Sequence, residues 1–264
     1  MEKQRYPIEN SLYIFLSFAA VGGFLEAYTF LLHGGVFCNA QTGNLVLLVL
    51  RLCQGDFSSA LRYVWSLLAY IAGIAASALL PRICRRSAFL IAVTAAEAAV
   101  LAALAFQPEG TPDTVTYVSV SFLCALQYNS FTSCRGATLA TTFCTNNLRQ
   151  TVLNLCSGIA EKDNAKLKKS VIYALVILAF AAGAAVGALT AGRLGNYCTL
   201  LCTAVLLAVI AVFAVAAQRK RTDAAKKTAE TAAESETAAE AENAAEAENA
   251  PAGEIPADAE KNVK

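Results

Sequence analysis

The sequence predicts an all-α polytopic membrane protein: a helix bundle with six crossings, two partial or broken helices and an inverted repeat. Three observations predict it. The chain is 56% hydrophobic and only 16% charged, whereas soluble domains run nearer a quarter charged. Apolar runs long enough to cross a bilayer recur along it. The basic residues gather in short loops between those runs, as in proteins oriented by cytoplasmic Lys and Arg.

A spanning helix needs about 20 mainly apolar residues. Residues 11–32, 58–80, 87–106, 114–134, 170–192 and 196–217 meet that need. Residues 36–52 and 138–158 are apolar only in their later halves. Their first halves are rich in Asn, Gln, Thr, Gly and Cys, so they read as polar-headed segments that stop short of crossing. Lys3 and Arg5 before the first run imitate a signal peptide. The apolar character continues to Leu32, however, and predicts an uncleaved first helix. With no other targeting signal, the expected location is a bacterial plasma membrane.

The loop charges choose among topologies. Lys3, Arg5, Arg82, Arg85, Arg86, Lys162, Lys166, Lys168, Lys169, Arg219, Lys220 and Arg221 all fall on one side if the six strong helices cross and the two weak ones do not. The 107–113 loop, with Glu109 and Asp113, then lies outside. Both termini are cytoplasmic in this arrangement, and Arg193 in an outside turn is its one minor violation. Arg62 and Arg135 lie near helix ends, where long side chains snorkel.

Charge also divides the chain. Residues 1–221, the expected transmembrane domain, hold 17 Lys/Arg against 9 Asp/Glu; residues 222–264 hold 4 against 11. The near-neutral total is a cancellation. The second region is rich in Ala and Glu, with no aromatic residue, and cannot bury a core. It reads as a disordered cytoplasmic tail, or as a docking tail for a basic partner.

An internal repeat organises the rest. Leu25 to Phe30 parallels Leu126 to Phe131, Thr42-Gly43-Asn44-Leu45 parallels Thr145-Asn146-Asn147-Leu148, and Ala72-Gly73 with Ser77-Ala78-Leu79 parallels Ala182-Gly183 with Gly187-Ala188-Leu189. The offsets are 101, 103 and 110. Repeat A covers about 11–106 and repeat B about 114–217. Three crossings per half make the second half enter from the opposite side, an arrangement that many secondary transporters share.

Glu26 is the most informative polar residue. A carboxylate deep in an apolar helix is costly and faces a cavity or a partner. It fits a proton or cation site, and equally a packing carboxylate; its repeat equivalent, Gln127, does not titrate. Asn39, Gln41, Thr42, Gly43 and Asn44 open the first weak segment. Thr141, Thr142, Thr145, Asn146 and Asn147 lie in the second. A helix that begins inside the membrane presents unpaired N–H groups and a positive dipole end. The polar residues around it either line a solute path or cap backbone between packed helices. Arg149 follows the second cluster and needs an anion, a carboxylate or a path to the interface; Glu26 is one candidate partner. Glu97 reads as interhelical and His33 as interfacial. Gly73, Ser77, Gly183 and Gly187 are small residues one turn apart that let helices pack closely.

The nine cysteines, Cys38, Cys53, Cys84, Cys124, Cys134, Cys144, Cys156, Cys198 and Cys202, include no CxxC pair. Most sit in apolar runs and behave as small hydrophobes, so neither a metal site nor a disulfide framework is expected, and no cofactor. No HExxH, GxSxG or P-loop motif occurs, which argues against an enzyme, and nothing points to nucleic acid.

Gly22-Gly23-Phe24-Leu25-Glu26-Ala27, Gly34-Gly35-Val36-Phe37 and Gln41-Thr42-Gly43-Asn44-Leu45-Val46 resemble the YoaK family of bacterial membrane proteins. The likeness covers roughly residues 10–217 and is looser in the second half. There the family shows Thr-Gly where this chain has Thr145-Asn146, and Glu26 stands where an Asp is common. The resemblance implies about six membrane helices, a bilayer location and a domain of unknown function, with no substrate attached. The expected function is a small transporter or channel for a polar or anionic solute, in a chain suited to homo-oligomerisation. The alternative is a non-transporting interaction or scaffold protein whose tail recruits a partner.

Overall fold

The computed structural model describes residues 8–82, 86–134, 137–138, 141, 144–219, 222, 228 and 231. The chain falls into two units, Met1–Ala214 and Val215–Lys264. Of the second, only 215–219, Thr222, Thr228 and Thr231 are described, all helical. The expected disordered tail therefore lies almost wholly outside the described residues.

The first unit is helical. Its helices are α1 (Leu12–Leu32), α2 (Gln41–Cys53), α3 (Phe57–Leu79), α4 (Arg86–Ala105), α5 (Asp113–Ser130), α6 (Cys144–Ala160) and α7 (Asn164–Leu194). A further helix, α8, occupies 199–219. Four helical stretches are long and apolar enough to cross a membrane: Leu12–Leu32, Phe57–Arg82, Arg86–Ala105 and Asn164–Arg219. The last folds back on itself. Gly195 breaks it with a positive φ of 52°, and Cys202 of α8 then lines the same groove as Gly183 of α7. Two of the expected boundaries move. Helix α5 stops at Ser130, because Ser133–Cys134 (β1) and Ala137–Thr138 (β2) form a short antiparallel pair. Helix α7 starts at Asn164, six residues before the apolar run, because Asp163 caps it.

Alpha-helix rise of about 1.5 Å per residue makes the 13-residue α2 roughly 20 Å long, short of a hydrocarbon core of about 30 Å. Helix α6, with 17 residues, sits at the lower limit for a span and carries Asn, Gln, Thr and Arg along its length. Residues 36–40 of the first weak segment are not helical at all.

The helices pair across the chain rather than along it. Helix α1 runs parallel to α7: Ala20 touches Gly183 and Phe24 touches Gly187. A Cβ added at Gly183 would stand 1.9 Å from the Ala20 carbonyl oxygen, and one at Gly23 2.0 Å from that of Phe180. Helix α3 runs parallel to α5 in the same manner, with Ser66 against Ser121 and Gly73 against the Phe122 carbonyl, 2.3 Å from its notional Cβ. Small residues alone permit such backbone approach. Ser77, one turn beyond Gly73, is buried and bonds the Ile74 carbonyl of its own helix.

Helices α1 and α5 run in opposite directions: Phe18 lies beside the Phe131 ring, tilted at 49°, while His33 meets Asp113. Helix α4 is antiparallel to α5, through Glu97 with Gln127 and Gln107 with Thr116. Helix α8 begins beside Leu101 and Phe106, near the end of α4, and reaches Phe131 through Phe213. The starts of α1, α4 and α7 thus share one end of the bundle, which carries Arg82, Arg86, Lys162, Lys166, Lys168 and Lys169.

The connections α2–α3 and α6–α7 also match. In the first, Gln54, Gly55, Asp56 and Ala60 donate their N–H groups to the carbonyls of Leu50, Leu52, Arg51 and Asp56. In the second, Glu161, Lys162, Asp163 and Leu167 donate to Ser157, Ile159, Gly158 and Asp163. Gly55 (φ +74°) and Lys162 (φ +54°) occupy the same left-handed position. Asp56 and Asp163 then cap α3 and α7.

Candidate functional site

The site is built where the first weak segment turns back into the bundle. Residues 33–40 leave α1, and α2 begins at Gln41 beside Glu26. The Glu26 carboxylate accepts the Asn39 N–H at 2.8 Å, the Ala40 N–H at 2.9 Å and the Cys38 thiol at 3.1 Å. Ala40 immediately precedes α2. The carboxylate thus occupies the positive end of a helix that starts inside the bundle.

The surrounding amides hold the same backbone. Asn44 accepts the Phe37 N–H at 2.9 Å and returns its own N–H to the Phe37 carbonyl at 2.6 Å. Gln41 donates to the Cys38 carbonyl. Ser66 of α3 lies within bonding distance of Asn44 and meets Ser121 of α5 at 2.8 Å. Segment 37–40 is thereby tied to α1, α2, α3 and α5. Thr42 points outward, and Gly43 admits the Phe37 ring, 3.1 Å from where its Cβ would stand.

The second half is not a copy. Gln127 donates to Glu97 at 2.6 Å, and both are buried. Asn147 is buried in α6, while Thr145, Asn146 and Arg149 are exposed; Thr142 lies outside the described residues, as does Arg135. The sequence suggested Arg149 as a partner for Glu26. The structure gives Glu26 to residues 38–40 instead, and Arg149 forms no ion pair with any described residue.

Several polar atoms are buried without a hydrogen-bond partner among the described residues: Asn39 Oδ1, the Tyr70 hydroxyl and Glu97 Oε1, and, in the second weak segment, the Thr141 hydroxyl. The Cys38 and Cys124 sulfurs lie 3.8 Å apart. No group of three metal-ligating side chains occurs among the described residues.

At the opposite end from the lysines, His33 joins three elements. Its Nδ1 lies 2.9 Å from Asp113 Oδ1 and its Nε2 3.1 Å from Asn196 Oδ1, which also accepts the Tyr28 hydroxyl. Sequence reading placed His33 at the interface and named none of these partners. Ser66, Ser121 and Tyr70 were likewise missed, although a serine within an otherwise apolar helix was a signal available for the first two.

No curated protein and no solved structure matches the chain. The profile described as "Protein of unknown function (DUF1275)" matches residues 14–213, which run from the second residue after the start of α1 to Phe213 of α8. A match over that length, covering both halves and the Glu26 centre, is enough to assign the chain, and it belongs to the DUF1275 family of proteins of unknown function.

Proposed function

We propose that this is a six-crossing transporter or channel with an inverted repeat, whose polar solute passes the centre around Glu26. The antiparallel course of α1 and α5 and the matched α2–α3 and α6–α7 connections support the repeat. Both termini on the basic, cytoplasmic side follow from the end at which the lysines and arginines gather. The observation that carries the transport reading is the set of buried atoms on Asn39, Tyr70 and Glu97 that have no hydrogen-bond partner among the described residues. Each costs roughly 1–3 kcal/mol when left unmade, and a polar solute passing between the short helices relieves that cost.

The charges narrow the solute. The described polar centre holds two carboxylates, Glu26 and Glu97, and Arg149 is turned outward. A neutral polar or cationic solute, with proton exchange on a carboxylate, fits better than the anion that Arg149 suggested. Purified protein in liposomes with an entrapped pH-sensitive dye tests this: pools of amino acids, sugars, polyols and polyamines are added outside. We expect one pool to drive proton movement, and Glu26→Gln to abolish it while the variant still folds. Silence of the correctly inserted wild type toward every pool overturns the proposal.

A non-transporting interaction protein is the second reading. The bonds from Gln41, Asn44 and Ser66 to segment 37–40 favour it, since those groups already serve the backbone. Loss of function on tail deletion, with an intact bundle, would support it.

A further inference from the structure

The starts of α1 and α7 leave a groove of about 640 Å³ between them, within the roughly 300–1,000 Å³ range of ligand pockets. Leu12 of α1 forms one wall. Leu167, Ile172 and Leu175 of α7 continue the apolar lining, and Lys168 and Lys169 also line it. Its place at two helix starts puts it where a spanning bundle meets the headgroup layer.

The charges around the groove are unbalanced. Lys166 is paired with Glu161. Asp163 accepts the Ala165 and Lys166 N–H groups as the cap of α7. Lys168 and Lys169 form no ion pair with any described residue, and both are exposed. An ammonium group is a compact point charge suited to a phosphate oxygen. The rest of the lining is largely aliphatic, which suits a hydrocarbon chain.

We propose that this groove binds an anionic phospholipid, with the phosphate between Lys168 and Lys169 and an acyl chain against Leu12, Ile172 and Leu175. A free phosphate compound lacks the part that covers the apolar lining. A zwitterionic lipid covers the lining but returns a positive charge to the lysines. The site is independent of any transport activity.

Native mass spectrometry of the full chain tests the assignment. The protein is released from micelles holding equal amounts of phosphatidylglycerol and phosphatidylcholine. We expect one phosphatidylglycerol to be retained preferentially. The double variant Lys168→Ala, Lys169→Ala is expected to lower that preference by roughly tenfold or more, since each basic residue near an anionic headgroup contributes appreciably. Lys162→Ala, outside the groove, leaves it unchanged. Ala165→Trp, which narrows the groove and keeps every charge, lowers retention of phosphatidylglycerol. Circular dichroism and gel filtration confirm that each variant is folded. Equal retention of both lipids, an unaltered preference in the double variant, or equally tight binding of glycerol 3-phosphate alone overturns the proposal.

Discussion

Glu26 shows what a single residue does in this protein. Sequence reading located it, and also the cost of a carboxylate in an apolar helix, because both follow from one position in an unbroken run. Its partners could not be read, since two of the three donors are backbone N–H groups whose positions depend on where α2 begins. Glu26→Gln retains one acceptor and turns an amide N–H toward a donor. The loss is expected to be about 1–3 kcal/mol, read as a lower unfolding temperature of the detergent-solubilised protein. Glu97 was readable in the same way, whereas its bond to Gln127 was not. His33 is similar: Asp113 and Asn196 lie far away in sequence, and only the fold unites them. His33→Ala leaves the Asp113 contact unmade at the end of α1, and a destabilisation of about 1–3 kcal/mol is expected by the same measurement.

At the scale of elements, the four long apolar helical stretches were legible because length and apolar content determine them, whereas the expected span at 114–134 is not among them. The start of α7 was not legible, because the cap at Asp163 extends it into a lysine-rich segment that hydropathy alone excludes. Lys162 lies just before that cap, in the left-handed conformation that Gly55 adopts in the first half. A side chain there is strained by roughly 1 kcal/mol, so Lys162→Gly is expected to stabilise by up to about that amount and Gly55→Ala to destabilise. Thermal unfolding of the two variants side by side gives the signs. Asp163→Ala is expected to cost about 1 kcal/mol through loss of the cap. Asp56 caps α3, and bonds from the Ser59 side chain and backbone hold its carboxyl below the ordinary range. A depressed carboxyl contributes above its unfolded pKa and stops contributing as pH falls through its folded one. Stability owed to this cap is therefore present at neutral pH and disappears in acid; Asp56→Asn is expected to flatten that part of the profile. The close approaches leave less latitude. A methyl group at Gly183 meets the Ala20 carbonyl, a backbone atom that cannot rotate away. Gly183→Ala is expected to cost about 1–3 kcal/mol or more, visible as loss of monodisperse protein on gel filtration.

For the whole molecule, the sequence indicated which segments resemble each other but not how they touch. The cross-pairing of α1 with α7 and of α3 with α5 depends on glycines whose partners are carbonyl oxygens, and no local pattern names those. The arrangement makes a testable statement about sidedness. Cys53, exposed at the end of α2, lies at the end of the bundle opposite Lys168. In a variant whose sole cysteine is Cys53, an impermeant maleimide added outside intact cells is expected to react. Reaction only after permeabilisation would reverse the orientation. The cross-pairing also bears on the order in which a ribosome delivers the chain. Helix α1 emerges early, yet the surface it fits belongs to α7, far downstream. During that wait its carboxylate would stand in lipid. Residues 38–40 follow within the same short stretch of nascent chain and can quench Glu26 at once, so the first hairpin carries its own remedy for a charge whose permanent surroundings have not yet been made.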